Sequence, residues 1–178
     1  MTTSLASEAW LQSTGGGGGD LPVWAVLDTN VVLDMLLFKD IRLNPLRSAL
    51  VRKALVWIAT DPMLDELNHV LQRRSLARWG HDPHQILAEA LGLCCKVMPC
   101  TEVDTQVPRC TDSDDQIFID LAWRWPTSWL FSRDRALLRL ARKAKPHGLW
   151  IGPPEHWPAQ RATSVHEKRQ PELPFYTG

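Results

Sequence analysis

Val23-Trp24-Ala25-Val26-Leu27 runs directly into Asp28-Thr29-Asn30. Five apolar residues in succession, with no polar alternation, suit a β-strand covered on both faces, the environment of a parallel sheet. An acid placed immediately after such a strand stands at its carboxyl end. That is the edge where open parallel sheets form their ligand crevice.

The flanking sequence alternates in the same sense. Helical spacing follows in Val31, Val32, Met35 and Leu36, and Asn44-Pro45 opens a second helix with proline at a tolerated first-turn position. Leu55 to Ala59 is a second buried-strand candidate, and Asp61-Pro62 starts a helix bearing Met63, Leu64, Leu67, Val70 and Leu71. The second half repeats the scheme. A helix is expected from about Pro83 to Cys94, a strand at Lys96-Val97-Met98, a loop from Pro99 to Arg109, and a helix beginning at Asp112. A strand at Trp129–Phe131, a leucine-rich helix at Arg133–Lys143 and a strand at Leu149–Ile151, stopped by Gly-Pro-Pro, complete the pattern. Strands alternating with helices predict an α/β fold with a central parallel sheet of about five strands and helices on both faces.

The domain expected from this pattern covers residues 21–157. Residues 1–20, with five glycines at 15–19, read as a flexible tail, and the polar segment 158–178 as a C-terminal tail. At 178 residues with 44% hydrophobic content, the chain can bury one ordinary core. Its apolar runs are far shorter than the roughly 20 residues that span a bilayer, so a membrane-spanning role is excluded. No basic segment followed by an apolar one opens the sequence, so a cytoplasmic location is expected. Cys94, Cys95, Cys100 and Cys110 then read as reduced, small core side chains with no zinc-type spacing. Twenty basic residues balance twenty acidic ones, so any nucleic-acid contact must come from a local patch.

The acids fall in a pattern that the net charge conceals. Asp28 follows the first strand, and Glu66 lies in the helix after the second. Asp112, Asp114 and Asp115 open the helix leading to the strand at 129–131, and Asp134 comes just after that strand. Any one of them alone reads as a helix cap, worth about 0.5–2 kcal/mol. Together they gather carboxylates from distant segments at one sheet edge. Asp115 precedes Phe118, Ile119 and Ala122 by three, four and seven residues, so it is expected on the inward stripe of its helix. Converging carboxylates repel one another unless a cation joins them, and hard Mg²⁺ or Mn²⁺ is the natural partner of an all-oxygen set. Such a site can activate water against a phosphodiester without a Ser, His or Cys nucleophile.

Four segments then resemble the PIN domain in order and spacing: Val26-Leu27-Asp28-Thr29-Asn30-Val31-Val32, Leu64 to Leu71, Asp112 to Ala122, and Leu130 to Leu138. The nearest branch is that of VapC-type toxins of toxin–antitoxin systems. The resemblance implies a three-layer α/β/α sandwich and metal-dependent cleavage of RNA. It implies Asp28, Glu66, Asp115 and Asp134 as catalytic, Mg²⁺- or Mn²⁺-holding acids, with Asp114 and Asp112 as alternates for the third. Thr29, Asn30 and Ser132 fall at the small polar positions beside them. The implied partners are RNA and an antitoxin protein, with a homodimer as an option.

Other residues read more plainly. Asp34 and Asp65 are expected to be solvated or capping, and Trp24 and Trp57 to lie in the core. The six histidines are scattered. Basic residues recur at Arg133, Arg135, Arg139, Arg142, Lys143 and Lys145, as a solvated flank or a phosphate contact. Two alternatives remain: a catalytically silent PIN-like RNA- or protein-binding module, and a phosphohydrolase of the haloacid-dehalogenase type. The latter wants a second Asp where this chain has Asn30.

Overall fold

A computed structural model of the chain describes residues 23–73, 76, 79–99, 106–125 and 127–157. The expected tails, Cys100 and much of the loop expected at Pro99–Arg109 lie outside the described residues. Five strands form one sheet: β1 (Val23–Leu27), β2 (Leu55–Ala59), β3 (Cys94–Lys96), β4 (Trp129–Phe131) and β5 (Trp150–Gly152). Their order is β3-β2-β1-β4-β5 and every pairing is parallel. Ala25 at the centre of β1 stands opposite Trp57 on one side and Trp129 on the other. β1 and β2 lie in the interior, Trp24 being half-buried and all their other residues buried, which is why both are unbroken apolar runs.

The described helices are α1 (Thr29–Leu36), α2 (Asn44–Val51), α3 (Asp61–Leu71), α4 (Pro83–Leu93), α5 (Gln116–Arg124), α6 (Arg135–Leu138) and α7 (Ala141–Ala144). The chain winds outward from β1 through β2 to β3, then crosses back to β4 and on to β5. Right-handed crossovers in these two directions put the helices of the two halves on opposite faces. The outcome is the expected α/β sandwich around a parallel sheet. Among the described residues no helix is long and apolar enough to cross a membrane.

Aromatic packing closes the second half of the sheet. Trp129 stacks on Phe131 with ring centroids 5.5 Å apart, and Trp150 and Trp157 tilt against the pair. A Cβ on Gly152 would collide with the Trp150 ring, so a glycine is needed for β5 to end there without moving that ring. Trp57 is in the core as expected, whereas Trp24 is only half-buried, against Trp125. Cys94, Cys95 and Cys110 are partly buried thiols packed at the margin of the core.

Four boundaries differ from the sequence reading. The third strand is Cys94–Lys96 and not 96–98, because α4 ends at Leu93 and pairing begins at once, Cys94 opposite Trp57. Val97 adds one further bond to the carbonyl of Ala59, and Met98 is already 80% exposed. The helix expected from Asp112 starts at Gln116; Asp112 accepts the N–H of Asp114 at 3.0 Å, a local turn that competes with helix. The helix expected over Arg133–Lys143 is two short ones, divided by a tighter bond from the N–H of Leu140 to the carbonyl of Leu137. The last strand begins one residue late, at Trp150.

Candidate functional site

The sheet reverses direction between β1 and β4, so the carboxyl ends of those neighbours flank its crevice. Asp28 ends β1 and Ser132-Arg133-Asp134 ends β4. The N–H of Asp28 donates to the carbonyl of Phe131 at 3.0 Å, joining the two exits. Asp28 is 2% exposed and caps α1, accepting the N–H of Asn30 at 3.3 Å. Asp134 caps α6, accepting the N–H of Ala136 at 2.6 Å.

Ser132 links these two acids. It is fully buried, its hydroxyl donates to Asp28 Oδ2 at 2.6 Å, and its oxygen accepts the N–H of Asp134 at 2.9 Å. Burial pushes the Asp28 carboxyl above its usual range, and the Asp134 charge adds to the push. The bonds from Ser132 and Asn30 only partly offset them.

Asp115 stands just before the first residue of α5, half-buried, and is not a member of that helix's inward stripe as the sequence suggested. It approaches the site from the turn at 112–115 instead. Its carboxyl is pushed up to about 7, first by burial, then by the charges of Asp28, Asp134 and Asp112, and by a hydrogen bond with Asp134 that favours a proton on Asp115. Glu66, in α3, is raised by burial and by the charges of Asp28 and Asp114, while a hydrogen bond with Thr29 and the charge of Arg73 oppose the shift. Asp28, Glu66, Asp115 and Asp134 thus influence one another across four separate segments. Of the three acids in the turn, Asp115 faces Asp28 and Asp134, Asp114 acts on Glu66, and Asp112 caps its own turn.

The donor set is carboxylate oxygen throughout, with Thr29 and Ser132 hydroxyls holding two of the acids, which fits a hard divalent cation. Among the described residues, no three His, Cys, Asp or Glu side chains stand close enough together to grip an ion as they lie.

Arg133 and Gln116 were not singled out correctly in the sequence. Arg133 was grouped with the basic run, yet its guanidinium is bonded to Asp34 at the end of α1, to Glu155 near the end of the sheet, and to Asp40 at 3.4 Å. Asp34, expected to be solvated or capping, is therefore half-buried and paired; Asp65 is exposed as expected. Gln116 accepts the N–H of Cys110 at 2.8 Å and donates to the carbonyl of Pro108 at 3.3 Å and to Asp120 at 2.9 Å. It pins the segment before the acidic turn to α5. Only the bond from Gln116 to Asp120 follows helical i,i+4 spacing; the contacts of Arg133 and the bonds of Gln116 to residues 108 and 110 follow no spacing rule.

Residues 24–136 match the sequence model of the PIN domain family. The matched span runs from β1 into α6 and contains all four acids. No curated protein is matched by the sequence.

Proposed function

The chain belongs to the PIN domain family, and we propose that it is an Mg²⁺- or Mn²⁺-dependent endoribonuclease that hydrolyses RNA phosphodiesters. PIN domains are nucleases that commonly act on RNA and typically use divalent metal ions. The observation that carries the reading is the Ser132 hydroxyl bridging Asp28 to the backbone of Asp134, beside an Asp115 whose carboxyl is driven up to about 7 by the same charges. Uncompensated carboxylates held this way are a standing cost unless a cation joins them.

Asp28, Glu66, Asp115 and Asp134 would hold the ion, with Asp114 or Asp112 replacing Asp115 if the turn rearranges. A bound divalent ion supplies an acidified water and charge stabilisation at the phosphate. The chain's own share is positional. Ser132 holds the Asp28 carboxylate by a hydrogen bond, Thr29 does the same for Glu66, and Asp115 faces the charges of Asp28 and Asp134. On the resemblance to VapC-type toxins, we assign the chain to the toxin side of a toxin–antitoxin pair, neutralised by a small antitoxin protein, with a homodimer as the alternative assembly.

The test is cleavage of single-stranded RNA by the full chain in Mn²⁺ against EDTA, alongside Asp28→Asn. The variant keeps the α1 cap, so its circular dichroism should match the parent while its cleavage rate falls by on the order of a thousandfold or more. Undiminished cleavage by Asp28→Asn overturns the assignment. A second reading, a silent RNA- or protein-binding module, draws on the spacing of the acids, no three of which grip an ion as they lie among the described residues. Absence of any calorimetric Mn²⁺ signal would favour it.

A further inference from the structure

Between Asp134 and Glu155 the chain has no acidic residue, yet it carries Arg135, Arg139, Arg142, Lys143 and Lys145. In a molecule of net charge zero this is a concentrated positive block, and it starts at the residue beside a site acid. α6 and α7 sort the block cleanly. Leu137, Leu140 and Ala144 are buried against the sheet, while all five cations are exposed. Arg135 opens α6 and Arg139 follows its last residue, while Arg142 and Lys143 lie in α7 and Lys145 directly after it.

None of the five forms an ion pair among the described residues, where Arg42, Arg47, Lys96 and Arg133 all find carboxylates. The row runs from the exit of β4 back along the flank to the start of β5, roughly 16 Å at helical rise. That is about five nucleotides of a stacked strand. The site acids repel phosphate, and this stripe attracts it. A substrate served by both is a polyanion that puts one phosphate at the acids and several along the stripe.

We propose that the exposed face of α6–α7 is a backbone-binding track for single-stranded RNA, holding the strand beyond the scissile phosphate and making the enzyme select polymers over short fragments. This rests on the ribonuclease reading above. Continuity with the acids favours a nucleic-acid strand over an acidic protein.

The experiment is fluorescence anisotropy of the full chain with a labelled single-stranded RNA longer than the track, in EDTA so that nothing is cleaved, comparing the parent with the triple variant Arg139→Gln, Arg142→Gln, Lys143→Gln. The changes are on the surface, away from the acids, and Mn²⁺ calorimetry on the same variant reports the site separately. The variant should bind on the order of tenfold more weakly or worse, and the salt slope should fall by about 2, from roughly 0.7 per lost contact. Equal RNA affinity and equal salt slope would overturn the track while leaving the metal reading standing. Poly-glutamate bound as tightly as RNA, with the same loss in the variant, would reassign the face to an acidic protein and overturn it as well.

Discussion

Two acidic clusters meet at the end of β4, and the chain passes from one to the other within a single turn. Asp34, Asp40 and Glu155 gather around Arg133, with Arg42 reaching Asp40 and Glu155 from outside. Ser132 and Asp134, the residues on either side of Arg133, belong instead with Asp28, Asp115 and Glu66. The first cluster carries its own cations. Bonds from Arg42 hold Asp40 down at about 2, and although burial works against Glu155, Arg133 brings it below its usual range. Only Asp34 stays raised, because burial outweighs the guanidinium there. Among the described residues the charges acting on the second cluster include one cation, Arg73 near Glu66, and Asp28, Glu66 and Asp115 all lie high. The groups differ in depth, Asp28 being the most deeply buried of these acids, and in whether the fold brings a cation to them. That difference is what the proposed cation site rests on.

The comparison breaks most readily at Arg133. Arg133→Met strips the first cluster of its central cation and leaves three partly buried carboxylates to repel. The expected loss is about 1–3 kcal/mol in urea unfolding, because Asp34 is left without a cation and Arg42 alone serves Asp40 and Glu155. An unchanged urea midpoint would show that the cluster contributes nothing net.

A smaller effect separates the clusters by pH. Asp115 is raised from 3.8 to about 7, and Asp28 and Glu66 are raised in the same direction, so across the Asp115 window the folded chain holds protons that the unfolded chain has released. Stability from this cluster is present at low pH and is lost as pH rises through that window. Asp40 and Glu155 have the opposite sign, their contribution fading as pH falls toward about 2. Because Mn²⁺ competes with the protons of the unpaired cluster, the rise in melting temperature it produces should be clearly larger at about pH 8 than at about pH 5. A gain independent of pH would mean the ion binds elsewhere.

The smallest effect belongs to the outer arm of the paired cluster. Arg42 makes three side-chain bonds to Asp40, at 2.6–3.0 Å, but its own side chain is 65% exposed. Arg42→Ala should shift the urea midpoint far less than Arg133→Met does, and most of that small shift should vanish in high salt. A loss comparable to that of Arg133→Met would place the cluster's centre at the surface.

The same contrast explains what could be read from residues alone. β1 and β2 were legible because burial on both faces leaves nothing but apolar side chains, and the placement of Asp28 followed from the first of them. β3 was misplaced because an edge strand of three residues, paired on one side only, leaves little pattern and follows a helix without punctuation. The acids at 112–115 looked like a first helical turn because aspartates that begin helices and aspartates that build turns are the same residues with the same spacing. Individual acids could be listed; the group that Arg133 neutralises could not. Its partners lie 99, 93 and 22 residues away, and nothing local distinguishes an arginine that faces phosphate from one that faces three carboxylates.

The bond from Ser132 to Asp28 spans 104 residues of chain. Asp28 and Glu66 leave the ribosome early, but the arrangement around Asp28 is complete only when β4 docks beside β1 and brings Ser132 and Asp134 with it. Contacts this remote in sequence form late, after the loop between them has closed. A nascent chain in which β4 has yet to dock therefore lacks Ser132 and Asp134 of the proposed site, and any nuclease activity would begin only once β4 is in place.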